Sequence, residues 1–155
     1  VREAVFNALG SLEAMEGRRV LDLFAGTGAL GIEALSRGAA TATFVDADHR
    51  AIRAIQDNLE ATGLGDRAWV VHDDVVRFLD RAGAELFDLA FADPPYAFSD
   101  WATLLARVPA RMIAIEARSH VEVGDGWRAL RSRRYGDTVV TLARRTPEAP
   151  PERGD

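Results

Sequence analysis

The chain predicts a single α/β domain in which a mostly parallel sheet of seven strands, covered by helices, finishes in a C-terminal β-hairpin. Three features carry that prediction. Short apolar runs alternate with longer stretches whose apolar residues recur at helical spacing. The first run passes through a glycine-rich turn straight into a helical pattern, and the chain closes with two strand-like runs on either side of Gly136. Repeated strand and helix units imply parallel strands with helices on both faces and ligands beyond the strands' carboxyl ends.

In order, a short amphipathic helix with Val5, Phe6 and Leu9 inward leads to a first strand at 19–24 and a helix at 29–37, which stops at Gly38. A second strand at 42–45 precedes a helix at 49–62, where Ile52, Ile55 and Leu59 share one face. The third strand is 68–71, a short helix covers 75–82, and the fourth strand is 87–92. Residues 101–108 read as a helix, 112–116 as the fifth strand, and 127–135 with 137–144 as the hairpin. These elements define one domain over residues 1–145. Residues 146–155 hold three prolines, a glycine and no apolar periodicity, so a disordered tail is expected.

Bulk properties narrow the class. At 155 residues one core suffices, and although 48% of residues are hydrophobic, no apolar run reaches the ~20 residues that a bilayer demands. No membrane crossing and no signal peptide are expected. The absence of cysteine excludes disulfides and thiolate metal sites, and it fits a cytoplasmic protein. His49, His72 and His120 share no ligand spacing, so no metal is expected. The net charge of −5 argues against a generally basic nucleic-acid surface, but its distribution is uneven. Acids gather at strand ends (Asp22, Asp46, Asp74, Asp93), while arginines cluster late at 128, 131, 133 and 134. That late cluster suits either phosphate contact or a solvated strand face.

The most specific chemistry is written in Asp93-Pro94-Pro95-Tyr96, which follows the apolar run ending at Ala92. Each proline lacks an N–H and restricts φ, so the corner offers a carboxylate and bare carbonyls with an aromatic face beside them. An exocyclic amine of a base is a poor nucleophile because its lone pair is delocalised into the ring. Two acceptors holding its hydrogens favour the pyramidal geometry that frees the lone pair, an interaction that strengthens toward the transition state. Tyr96 could stack on the same base.

Upstream, Asp22-Leu23-Phe24-Ala25-Gly26-Thr27-Gly28 opens a nucleotide-type loop before a helix N-terminus, and Gly26, Gly28 and Gly31 have dinucleotide-fingerprint spacing. Asp46 stands where a ribose-binding acid is expected. A nicotinamide or flavin oxidoreductase is therefore a rival reading. Asp22 weighs against it, since a carboxylate before the loop repels a pyrophosphate yet suits a cationic, phosphate-free cofactor such as S-adenosylmethionine.

With both motifs present, the chain resembles the RsmD family of bacterial small-subunit rRNA guanine-N2 methyltransferases. The likeness extends from Val1-Arg2-Glu3-Ala4 through Ala34-Leu35-Ser36-Arg37-Gly38 to Tyr135-Gly136-Asp137-Thr138. It implies a Rossmann-like methyltransferase domain, S-adenosylmethionine as donor and S-adenosylhomocysteine as product. Asp22, Phe24, Ala25, Gly26, Gly28, Asp46, Asp74 and Val75 are the expected cofactor residues, and Asp93, Pro94, Pro95 and Tyr96 are expected to hold the target guanine. Phe98 is a candidate pocket wall, and Arg131, Arg133 and Arg134 are candidate RNA contacts. The implied partner is small-subunit rRNA or an assembling small subunit, and the protein is expected to be a monomer. Family members usually begin with a further basic stretch, and this sequence starts at Val1, so the resemblance does not imply full-strength RNA binding by it, whereas cofactor binding rests on the loop and strands that are present.

The expected chemistry is direct transfer to an extruded guanine, with Asp93 aligning the amine. A DNA adenine-N6 methyltransferase uses the same acceptor corner and remains an alternative. Asp48 and Asp73 are expected to cap helices, and Trp69, Trp101 and Trp127 to be packing residues.

Overall fold

The structure is a computed structural model, and it describes residues 2–10, 15–81, 86–147 and 151. Five α-helices and seven strands follow the expected alternation among these residues: α1 (Arg2–Leu9), β1 (Arg19–Leu23), α2 (Ala29–Ser36), β2 (Thr41–Asp46), α3 (His49–Thr62), β3 (Ala68–His72), α4 (Val75–Arg81), β4 (Phe87–Ala92), α5 (Trp101–Arg107), β5 (Ala110–Ala117), β6 (Trp127–Tyr135) and β7 (Thr138–Arg145). A 3₁₀ turn at Gly65–Arg67, not anticipated from the pattern, links α3 to β3.

Strand order is β3-β2-β1-β4-β5-β7-β6, with the first five strands parallel and β7 antiparallel to both β5 and β6. The chain winds outward from β1 in one direction and from β4 in the other. The gap between these two strand ends is the switch point where α/β sheets bind ligands.

Alternation along the strands sends residues to two cores. On one face Val20, Phe44, Leu89, Phe91 and Met112 pack under α1, α2 and α3, and Phe6 of α1 meets Phe91 with ring centroids 5.7 Å apart. The other face sets Leu21, Leu23, Val45, Ile113 and Ile115 against α4 and α5. Each fully buried aliphatic side chain contributes roughly 1.5–3 kcal/mol.

Helix ends follow local chemistry, with one correction. Asp48 caps α3, accepting from the Arg50 N–H at 2.9 Å, and Gly63 ends the helix at φ 70°. Asp74 rather than Asp73 caps α4, its Oδ1 accepting from the Arg77 N–H at 3.0 Å. Because α4 starts at Val75, Asp74 occupies the position from which a side chain reaches the third helical N–H. Asp73, one residue too early, accepts from the Asp74 N–H and pairs with Arg81.

The tryptophans divide. Trp127 is buried and donates its indole N–H to the Leu105 carbonyl, and Trp101 is half-buried. Trp69 is not the packing residue expected, being 58% exposed. It lies on the outermost strand β3, where Val71 joins the core and Trp69 does not.

Thr146 still bonds to the Gly126 carbonyl, and residues 148–150 and 152–155 of the expected tail lie outside the described residues.

Candidate active site at the sheet switch point

The glycine loop is shaped by two kinds of contact. Gly28 sits at φ 80°, a left-handed conformation that costs glycine little, and hands the chain to α2. Gly31, in the first turn of α2, lies so close to the sheet that an added Cβ would overlap the Phe44 ring, with Phe44 Cζ at 2.8 Å. Phe24 is the one non-glycine residue with positive φ among the described residues, at 56°. Such strain persists where surrounding contacts hold it, and it clusters at functional sites.

Carboxylates pin this loop from below. Asp22, buried near the end of β1, accepts from the Gly31 N–H at 3.0 Å. Its pKa is raised well above the ordinary aspartate value, first by burial and then by the nearby charges of Asp93, Glu116 and Asp46, against the lowering effect of the Gly31 bond. Asp46, at the end of β2, accepts from the Gly26 N–H at 2.9 Å and from the Asp48 N–H at 2.8 Å. A carboxylate has about four lone-pair directions, so Asp46 keeps acceptor capacity beyond these two bonds.

Asp93 follows directly on β4, beside β1 in the sheet. The residue is exposed as a whole, yet its carboxyl is partly withdrawn from water, and that burial raises its pKa. A cavity of about 520 Å³ opens at this corner, lined among others by Asp93, Pro94, Pro95, Tyr96, Phe98 and Glu116. The Phe98 N–H donates to the Pro95 carbonyl at 2.9 Å, closing a turn that turns Tyr96 outward at 78% exposure.

An aromatic chain ties the two motifs together. Phe24 of the loop meets Phe98 edge-on at 5.3 Å between centroids, and Phe98 meets Trp101 in the same manner at 5.1 Å. Phe98 is therefore the wall between the glycine loop and the cavity. Val75 is buried at the start of α4, next to the Asp74 cap.

The candidate RNA arginines are not one cluster. A bulge between Ala129 and Arg131 resets β6, and alternation then sends Arg131 and Arg133 to one face and Arg134 to the other. Arg131 donates to the Ala8 carbonyl at the end of α1, while Arg134 reaches the Arg118 carbonyl at 3.4 Å. Arg133 is exposed.

Two residues of the cavity escaped sequence reasoning. Glu116 is 3% exposed and ends the apolar run of β5. Arg118, just beyond it, places its guanidinium over the Tyr96 ring at 3.9 Å from the centroid. The signal for Glu116 was available, since it is an acid closing a buried strand just as Asp46 closes β2.

This geometry has relatives. A family described as "Conserved hypothetical protein 95" matches residues 1–144. The chain belongs to that family, the RsmD family. It is 40% identical over 96 residues to the Ribosomal RNA small subunit methyltransferase D of Escherichia coli (strain K12), a match covering 62% of this chain and 46% of that protein. The Haemophilus influenzae protein of the same name is 35% identical over 101 residues, covering 64% of this chain and 51% of its own length. This RsmD-family chain thus spans about half the length of the curated relatives it matches. Among solved structures, a conserved hypothetical protein of Streptococcus pyogenes superposes with a TM-score of 0.83 at 34% identity, covering 94% of this chain and 96% of that one.

The site also fits the donor expected for the family. Gly26 faces open space beside the acids that end β1 and β2, and Asp22, whose pKa is raised first by burial and then by its acidic neighbours, favours a cation nearby. Among the described residues no group of three or more His, Cys, Asp or Glu could hold a metal ion, and no helix is long and apolar enough to cross a membrane.

Proposed function

We propose that this protein transfers a methyl group from S-adenosylmethionine to the exocyclic N2 amine of a guanine in small-subunit rRNA. The observation that carries the reading is the Asp93-Pro94-Pro95-Tyr96 corner, which walls a cavity at the ends of β4 and β5, next to the switch point, and touches the glycine loop through Phe98 and Phe24. The names of the relatives support rRNA as the substrate class.

In this reading Asp22, Phe24, Ala25, Gly26, Gly28, Asp46, Asp74 and Val75 hold the cofactor. Asp46 has acceptor capacity left for ribose hydroxyls, and Asp74 keeps Oδ2 beyond its capping bond for the adenine amine. When bound, the cofactor supplies an electrophilic methyl group on a sulfonium centre. The chain's own residues present the nucleophile. The Asp93 carboxylate and the Pro94 carbonyl accept the two N2 hydrogens, orienting the lone pair and stabilising the pyramidal amine. Asp93 then takes the proton that the methylated amine sheds, a role its raised pKa suits. Tyr96 supplies a stacking face for a base lifted out of its helix.

The test is radiolabelled methyl transfer to small ribosomal subunits that lack the modification, with the product nucleoside identified after digestion. Calorimetry with S-adenosylmethionine and NAD accompanies it. Formation of 2-methylguanosine is the expected result. Binding of the dinucleotide, with no affinity for the sulfonium compound, would overturn the proposal.

A further inference from the structure

We propose that Glu116 is a specificity-determining residue whose buried side chain, aimed into the Asp93 cavity, accepts the N1–H of the target guanine. The inference rests on the guanine reading above and deepens it.

Register supplies the geometry. β4 and β5 are parallel neighbours with Ala92 opposite Ile115, so Asp93 and Glu116 leave adjacent strands at the same level. Both line the same cavity. Glu116 is 3% exposed, and its Oε1 has no hydrogen-bond partner among the described residues. A buried carboxyl oxygen without a donor is costly, and such atoms are rare enough to call for an explanation. A ligand that brings an N–H removes the penalty.

Purine chemistry specifies which ligand. The acceptor corner of Asp93 and Pro94 grips an exocyclic amine, and both adenine and guanine carry one. The two differ at the ring nitrogen beside it: guanine N1 is a donor, whereas adenine N1 is an acceptor. An acceptor set one strand over from Asp93 complements the guanine pair of N2–H and N1–H and opposes the lone pair of adenine N1. Selection by an unpaired polar group is steep, because the wrong partner leaves that group buried and unmatched.

In the empty site the Glu116 carboxyl is mostly protonated at neutral pH, so the acceptor offered to N1–H is its carbonyl oxygen, and the full bias against adenine N1 comes with loss of the proton. Burial first, and the Asp93 charge second, push Glu116 up to about 8. Besides Asp93, the buried Asp22 and the N-terminal ammonium, whose charge lowers the Glu116 pKa, the charged or titratable groups in the cavity wall are Tyr96, Arg118, His120 and Glu122. His120 is engaged with Ser132 and Glu122, and Arg118 with Tyr96. Guanine N1–H is then a donor that reaches Glu116 without displacing a bond recorded for it.

The experiment uses the whole protein as wild type, E116Q and E116L, acting on small ribosomal subunits that lack the modification. Product nucleosides are separated after digestion, and S-adenosylhomocysteine affinity is measured by calorimetry on the same preparations. Wild type is expected to form 2-methylguanosine. E116Q should stay within about threefold in kcat/KM, because the amide carbonyl still accepts the N1–H, and E116L should lose at least about 30-fold with S-adenosylhomocysteine affinity unchanged. Transfer by E116L at the parental rate overturns the proposal. So does an E116Q loss as deep as that of E116L, or an E116L loss matched by lost cofactor affinity, since charge or packing would then explain the effect. If wild type itself forms 6-methyladenosine, or methylates no base, the underlying guanine reading fails, and that outcome is visible before any variant is compared.

Discussion

The guanidinium of Arg118 covers one face of the Tyr96 ring, its central carbon 3.9 Å from the ring centroid, although Tyr96 remains 78% exposed. A cation stacked on a tyrosine is worth about 0.5–1 kcal/mol at an exposed site, enough to bias the ring toward one orientation. Arg118 follows β5 and Tyr96 follows β4, so the pair bridges the two strand ends that bound the cavity. In the proposed reaction the opposite face of the ring takes the target base.

Removing either partner therefore should affect RNA and cofactor differently. R118A is expected to raise KM for small subunits roughly three- to tenfold through lost ring orientation and lost phosphate attraction, with kcat changed less. Y96A should cost more, on the order of 1–3 kcal/mol of transfer efficiency, and Y96F little. Steady-state kinetics at two salt concentrations and S-adenosylhomocysteine titration separate these effects. Equal loss of cofactor affinity in R118A would contradict the assignment.

In the proposed reaction Asp93 orients the amine rather than holding the fold. D93A is expected to lower kcat by roughly 100-fold or more, the scale seen when one preorganised transition-state contact is removed. Its cofactor affinity should match the parent, and its thermal midpoint should be no lower. Because Asp93 raises the pKa of Glu116, D93N should also move any titration of Glu116 downward, which pH-dependent spectra of a labelled glutamate would show.

Gly31 has no room for a side chain. G31A would force its methyl group into the Phe44 ring and to within 3.1 Å of Asp22 Oδ2, which accepts the Gly31 N–H. Overpacking of this kind costs roughly 1–3 kcal/mol. Urea unfolding should register that loss, together with weaker cofactor binding as the loop shifts. G26A lacks any neighbour within 4 Å and is disfavoured only by its φ of 59°, so its effect on stability should be the smaller of the two.

The cofactor-free protein should lose stability as pH rises toward 8. In the folded chain Glu116 keeps its proton up to about 8, whereas unfolded it releases it near 4.5. Between those values the folded state binds a proton that the unfolded chain has given up, so rising pH favours unfolding. The slope is at most about 1.4 kcal/mol per pH unit, lessened by water entering the cavity. Asp22 and Asp93, both raised, act in the same direction. Thermal midpoints measured from about pH 5 to 8 should decline, with E116Q declining less. A profile identical for the two proteins would exclude Glu116 as a contributor.

Much of the site was legible along the chain because its parts are local. The loop from Asp22 to Gly28 and the corner from Asp93 to Tyr96 are continuous stretches whose backbone needs are written in their glycines and prolines, and strand ends were readable from the apolar runs before them. The capping of α4 moved from Asp73 to Asp74 because a cap depends on the first helical residue, and a shift of one position changes which side chain reaches it.

By itself, the sequence determined the order of strands and helices, the two motifs and the acids that close the strands, since each follows from spacing and residue type within a dozen positions. Tertiary structure alone decided which strand ends meet. The neighbouring of β4 and β5 sets Glu116 and Arg118 beside Asp93 and Tyr96, the packing around β6 gives Arg131 the Ala8 carbonyl and Arg134 the Arg118 carbonyl, and the outermost place of β3 leaves Trp69 in water. Those outcomes depend on pairing between segments distant in the chain, where sheet order and register, rather than local preference, fix the distance between side chains.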